Sequence, residues 1–238
     1  MILLRSLIFQ LFFYFSVIFF GLTISLLGRW IPINKIDSLA NLWGESNIKA
    51  LKYLCNLSFR IRGLENLPKS AAIIACKHQS AWETIALRAL LPSTQTWVVK
   101  KELVRIPFFG AALRALKAIP IDRSAGLKAL KQLIRDGSQA LREGRFILIF
   151  PEGTRVQMGT RGNYNIGAAL LAERSGYPLI PIAHNAGVFW GRRNLIKKPG
   201  IIDIVIGEKI ISNGLSVQEI NYQLEEWIET SVLTLPIS

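Results

Sequence analysis

Arg145-Phe146-Ile147-Leu148-Ile149-Phe150-Pro151-Glu152-Gly153-Thr154-Arg155 (RFILIFPEGTR) sets five consecutive apolar residues between an arginine and a proline. A run this short, with no polar alternation, reads as a strand buried on both faces. Residues 125–143, just upstream, carry apolar positions at helical spacing, so the unit is helix, strand, loop. Pro151 ends the ladder, Gly153 lets the backbone come close to a ligand, and Arg155 offers a planar fork suited to phosphate. Glu152 is placed either to accept from a substrate hydroxyl or to hold Arg155. An ordinary turn with a surface ion pair is the plainer reading of the same residues.

The pattern recurs along the chain. Strands are predicted at Ser58–Arg62, Ala71–Cys76, Thr96–Lys100, Ala118–Ile121, Arg145–Phe150, Leu179–Ala183 and Ile201–Ile206. Helices are predicted at about Glu83–Leu91, Phe108–Leu116, Ala125–Glu143, Ile166–Ser175 and Val217–Val232. Short apolar strands alternating with amphipathic helices define an α/β fold, a central sheet of mostly apolar strands flanked by helices on both faces. No repeat, low-complexity tract or linker divides this part. The 238 residues therefore divide into an N-terminal helical segment, 1–56, and one α/β domain, 57–238.

The N-terminal segment accounts for much of the positive mean hydropathy of +0.32. From Ser6 to Gly28 no residue is charged, and Leu, Ile and Phe dominate. Such a helix is long enough for the hydrocarbon core of a bilayer, and it lacks the small-residue cleavage site of a signal peptide. It is expected to be a retained membrane-anchoring helix. Gln10, Tyr14, Ser16, Gly21, Thr23 and Ser25 soften it, so crossing the bilayer and lying in one leaflet are both open. A second helix is expected at about 36–56.

The net charge is +13, and residues 100–198 hold eighteen Lys/Arg against six Asp/Glu. A basic surface behind a lipid anchor points to anionic headgroups, phosphate-bearing substrates or an acidic carrier. The chain carries no nucleic-acid recognition motif, so nucleic acid is not the expected partner. Two cysteines, Cys55 and Cys76, argue against a disulfide scaffold or a zinc site and for a reducing compartment.

Cys76-Lys77-His78-Gln79-Ser80-Ala81-Trp82-Glu83 (CKHQSAWE) follows the strand at 71–76 and holds one of the two histidines. On a continuous helix His78 and Glu83 would stand about 140° apart. They meet if His78 precedes the helix and Glu83 lies in its opening turns. A carboxylate on one ring nitrogen fixes the tautomer and leaves the other to accept a proton. The competing reading makes Ser80 an N-cap with Glu83 completing a capping box. A third loop, Ile119-Pro120-Ile121-Asp122-Arg123, brings another arginine to a strand end. With Arg155 it offers two guanidinium groups to one anion in the crevice where α/β sheets bind ligands. His184 has no carboxylate at a suggestive spacing and reads as structural or peripheral. Trp97, Ile106–Phe109 and Val188–Trp190 belong either to the core or to an apolar surface for acyl chains.

Taken together, HQSAWE, PIDR, FPEGTR and LIPIA, with Gly63–Pro68 and Lys100–Leu103, resemble in order and spacing the glycerolipid acyltransferases typified by 1-acylglycerol-3-phosphate acyltransferase, over residues 58–210. The resemblance implies acyl transfer. His78 would be the base and Glu83 its orienting partner, standing where the family's His-x4-Asp pattern has aspartate. Arg123 and Arg155 would bind phosphate, Glu152, Gly153 and Thr154 would line the glycerol site, and Lys100 would assist phosphate or carrier binding. It implies a lysophospholipid acceptor and an acyl-ACP or acyl-CoA donor as co-substrate, with no bound cofactor or metal. The catalytic domain would sit at the cytoplasmic face of the inner membrane, on anionic headgroups. A serine hydrolase is disfavoured because G-x-S-x-G is absent. A non-catalytic lipid-binding module would have no use for a base.

Overall fold

A computed structural model describes residues 1–237. Two helices come first, α1 (Ile2–Leu27) and α2 (Ile33–Cys55). The strands are β1 (Leu57–Arg62), β2 (Ile73–Cys76), β3 (Gln95–Lys100), β4 (Ile119–Ile121), β5 (Phe146–Ile149), β6 (Leu179–His184) and β7 (Gly200–Ile206). Between and after them come α3 (Trp82–Leu90), α4 (Phe109–Ala115), α5 (Leu127–Arg142), α6 (Gly167–Ser175), α7 (Ala186–Phe189) and α8 (Val217–Leu233). Each predicted strand and helix is present, displaced by a residue or two at its ends within the α/β domain, while α1 and α2 begin at Ile2 and Ile33, a few residues before their expected starts. The short helix α7 and three 3-10 turns were not predicted, being too short to show a periodicity.

The seven strands form one sheet in the order β1-β7-β6-β2-β5-β3-β4. The five from β6 to β4 are parallel, while β7 runs antiparallel to β6 and β1 follows β7. The apolar runs are explained by the two cores they serve. Ile74, Cys76 and Leu148 face one cluster with Leu51, Trp82 and Ile85. Ile73, Ala75 and Ile147 face the other, with Leu133, Leu171 and Leu224. Helices α2 and α3 thus cover one face, and α5, α6 and α8 the other. Each fully buried Ile or Leu contributes about 1.5–3 kcal/mol.

The second helix is tied to the sheet by charge. Asp37 of α2, fully buried, accepts from Arg145 Nη1 at 2.8 Å and from Arg88 Nη2 at 3.1 Å. Helix α1 meets the length criterion for crossing a membrane. It also packs along the domain. Ser6, Phe9, Ser16, Gly21 and Ile24 face inward, while Leu3, Leu7, Leu11, Phe15, Ile18 and Phe19 are exposed. Ser6 Oγ accepts from Lys197 N at 2.9 Å near one end. Ser16 Oγ accepts from Trp43 Nε1 and Asn47 Nδ2 mid-helix. Beyond the other end, Gly28 sits so close to Ala115 of α4 that an added Cβ would be 2.8 Å from the alanine's. Phe189 and Trp190 are core residues, Trp190 packing edge-on against Phe9 at 5.7 Å, whereas Ile106 and Phe108 are exposed.

Candidate active site

The register of the parallel strands assembles the site. Ala75 of β2 pairs with Ile149 of β5, so three residues on, past both strand ends, His78 falls beside Glu152. Lys100 of β3 pairs with Ile121 of β4, which brings Asp122 and Arg123 to the same edge. Cys76 pairs with Ile182, setting His184 on the other side of the His78 loop. All these loops leave the carboxyl edge of the sheet, the usual ligand side of an open α/β fold.

His78 precedes α3 and Glu83 lies in its first turn, so the two meet as the spacing required. Nδ1 is 2.8 Å from Glu83 Oε1. With Nδ1 donating its proton to the carboxylate, Nε2 is left as an acceptor, and no hydrogen bond among the described residues engages it. The ring stacks on Phe150 at 4.0 Å between centroids and 15° between planes. The same Oε1 accepts the backbone N–H of Gln79 at 2.8 Å and of Ser80 at 2.7 Å. Oε1 thus engages His78 and ties down the turn, but the expected capping box with Ser80 as N-cap does not form. Helix α3 is capped at Ala81 with no side-chain cap bond, and Ser80 Oγ accepts from Trp82 N at 3.1 Å rather than from Glu83 N. Burial alone would raise the Glu83 carboxyl, but the His184 ring, the His78 ring and the Ser80 N–H hold it below its ordinary value.

Glu152 faces inward. Its Oε2 accepts from His78 N at 2.7 Å and its Oε1 from Lys77 Nζ at 2.6 Å. It is bonded neither to Arg155 nor, with both oxygens engaged, to anything outside, which differs from its expected place along a glycerol site. Burial pushes its carboxyl above the ordinary value, with the Lys77 ammonium and the His78 N–H opposing.

Gly153 has φ of +65°, and a Cβ there would stand 3.2 Å from Asn165 Nδ2 and 3.6 Å from Arg123 Cζ. Glycine thus serves the left-handed backbone, with the Asn165 amide held close and the Arg123 guanidinium in ordinary contact beside it. Asp122 shapes that loop by accepting from Ser124 Oγ at 2.6 Å, from Lys101 Nζ at 3.1 Å and from Ser124 N at 3.0 Å, and these bonds lower its carboxyl to about 2. Thr154 is exposed and Arg155 half-buried in the same turn. The next residue, Val156, donates its N–H to His78 O at 2.8 Å, closing the FPEGTR turn onto the histidine loop. His78, Glu83, Glu152, Gly153 and Arg123 are thus brought together. Lys100 is exposed at the end of β3, 3.9 Å from Glu102.

Three participants were not legible as such. Lys77 is fully buried and bridges Glu152 to Glu229 of α8 at 2.6 Å; the only sequence signal was a charge closing an apolar strand. Tyr164 donates to Glu229 at 2.7 Å. His184 lies fully buried behind the pair, 3.9 Å from Glu83 Oε2. Its Nδ1 accepts from Ala186 N, so its Nε2 donates to Lys77 O at 2.9 Å, and burial lowers its affinity for a second proton. It is a structural residue at the site, and the carboxylate near it comes from 101 residues earlier in the chain.

A histidine–carboxylate pair at the carboxyl edge of a mixed α/β sheet, closed by an arginine-bearing turn, is an arrangement able to support general-base chemistry in an open α/β fold. The family model described as Acyltransferase matches residues 58–185, more than half of the chain. A 1-acyl-sn-glycerol-3-phosphate acyltransferase of Pseudomonas aeruginosa is 42% identical over 200 residues, covering 82% of this chain and 77% of that protein. One of Bacillus subtilis is 33% identical over 166 residues, 68% of this chain and 79% of that protein. The crystal structure of the 1-acyl-sn-glycerophosphate (LPA) acyltransferase PlsC from Thermotoga maritima has the same fold. Its TM-score is 0.78 at 22% identity, with coverage of 98% of this chain and 97% of that one. The chain belongs to the Acyltransferase family and is an acyltransferase.

Proposed function

We propose that the protein moves a fatty acyl group from a thioester, acyl-ACP or acyl-CoA, to the sn-2 hydroxyl of 1-acylglycerol-3-phosphate, giving phosphatidic acid. The observation that carries this reading is the His78–Glu83 pair with Nε2 free, set against the FPEGTR turn. The acceptor follows from the substrate named for the relatives. His78 Nε2 takes the proton of the lipid hydroxyl as its oxygen attacks the thioester carbonyl. The tetrahedral intermediate collapses, the C–S bond breaks, and the imidazolium returns its proton to the leaving thiolate. The products are the ester and a free thiol. Glu83 offsets the positive charge on His78 during the cycle. A thioester is already activated, so no acyl-enzyme is needed. Arg123 and Arg155 are assigned to the phosphate, and Lys100 to the rim where carrier or headgroup phosphate arrives.

Residues 1–56 are assigned to membrane attachment and 57–238 to catalysis, at the cytoplasmic face of the inner membrane. The contacts of α1 favour lying in one leaflet over crossing. Helix α1, about 39 Å long, is held to the domain near both ends and to α2 in the middle, so crossing would carry the domain into the bilayer. The basic surface favours anionic headgroups. The test is a purified-enzyme assay pairing lyso-acceptors, with and without the phosphate, with acyl-ACP and acyl-CoA. Lysophosphatidic acid should lead the panel with at least one donor. Equal rates on acceptors lacking the phosphate would refute the assignment.

A further inference from the structure

Lys77 has no exposed surface, yet it carries an ammonium group. Nζ lies 2.6 Å from Glu152 Oε1, 2.6 Å from Glu229 Oε1 and 3.4 Å from Thr160 O, over the Tyr164 ring at 6.0 Å. Taking such a cluster out of water is costly, and well-packed apolar side chains in its place are often as stable or more so. Stability is therefore a weak reason for it. Its geometry offers another. The second oxygen of Glu152 accepts the His78 main-chain N–H at 2.7 Å. Gly162 packs against the first so closely that a Cβ there would be 2.9 Å from it, which restricts rotation of the carboxylate. The groups facing Glu152 are thus Lys77 from the end of β2, the His78 N–H, and Glu229 of α8, which Tyr164 holds.

We propose that Glu152, clamped by Lys77, is a positioning residue that fixes the backbone of His78 from beneath, rather than a residue that touches the acceptor. The chain of contacts runs from α8 through Glu229, Lys77 and Glu152 to the His78 N–H. With the main chain pinned there and Nδ1 pinned by Glu83, Nε2 has one direction to point. The inference rests on His78 being the base.

Lys77→Met alone strands one carboxylate beside another in the core and invites misfolding, so the test uses two charge-neutral doubles. Lys77→Met with Glu152→Gln keeps an oxygen to accept from His78 N. Lys77→Met with Glu152→Leu is close in size and removes it. Melting temperatures establish that both fold, and kcat and KM are measured with lysophosphatidic acid alongside wild type and His78→Ala. The Gln double should stay within about tenfold of wild type. The Leu double should lose about 100-fold in kcat, the scale of a catalytic group misplaced by about an ångström, with KM for the acceptor unchanged. Equal kcat in the two doubles overturns the inference, as does a loss confined to KM, which would return Glu152 to acceptor binding. A wild-type rate in His78→Ala overturns the base assignment and this inference with it. Loss in His78→Ala with equal doubles overturns this inference alone.

Discussion

Glu83→Gln separates two jobs that the structure gives to one oxygen. Oε1 receives the His78 ring and the N–H groups of Gln79 and Ser80. Removing it in Glu83→Ala leaves two buried donors unpaired at about 1–3 kcal/mol each. That totals about 2–6 kcal/mol, a large share of a stability of about 5–15 kcal/mol. Loss of activity in the alanine variant therefore says little about catalysis. Gln keeps the oxygen and removes the charge. Each bond weakens by about 1 kcal/mol as its acceptor becomes neutral, and the cheaper burial of an amide offsets part of this. Melting should thus fall far less than in Glu83→Ala. The imidazolium formed during turnover, in contrast, loses its counter-charge. At about 4 Å between charge centres and an effective dielectric near 20, that interaction is worth about 4 kcal/mol, or about 1,000-fold in rate. The assay is acyl transfer by purified Glu83→Gln with its melting curve measured in parallel. A wild-type rate in a folded Glu83→Gln protein would show that the carboxylate only caps the turn. A melting loss as large as that of Glu83→Ala would refute the accounting of the N–H bonds.

Arg155→Ala should raise KM for the phosphate-bearing acceptor or lower kcat/KM by about 10–100-fold, the scale of one charged hydrogen bond; equal loss on an acceptor without phosphate would remove Arg155 from the phosphate site. Lys197, buried against Phe9 and Trp190 under α1, is lowered by burial from 10.5 to about 8. Between pH 8 and pH 10.5 the unfolded chain therefore binds this proton more readily, so stability rises with pH across that window. The melting temperature of wild type relative to Lys197→Met should climb from pH 7 to pH 10, and a constant difference would exclude the effect.

Where the sequence was readable, the reason was local. Phe146–Ile149 and Ile73–Cys76 are uniformly apolar because their successive side chains feed two different cores, and such a run has few other uses. His78 and Glu83 could be paired because a loop followed by one helical turn brings them together within five residues. What was hidden depended on contacts between distant segments. The ties of Asp37 to Arg145, of Lys77 to Glu229 and of Glu83 to His184 join residues far apart in the chain, where no spacing rule operates. The reversal of direction between β6 and β7 and the strand order were hidden for the same reason. Glu152 shows the effect within a recognised motif. Its place in FPEGTR pointed outward to a substrate, whereas the β2–β5 register turns it under the histidine.

The proposed acyl transfer requires His78 Nε2 to remove a proton from a lipid alcohol. The most direct measurement is the single-turnover rate of acyl transfer to lysophosphatidic acid by purified His78→Ala, compared with wild type at equal melting temperature. A loss of at least about 100-fold is predicted, the lower end of what a general base contributes. A rate within a few-fold of wild type in the folded variant would contradict it.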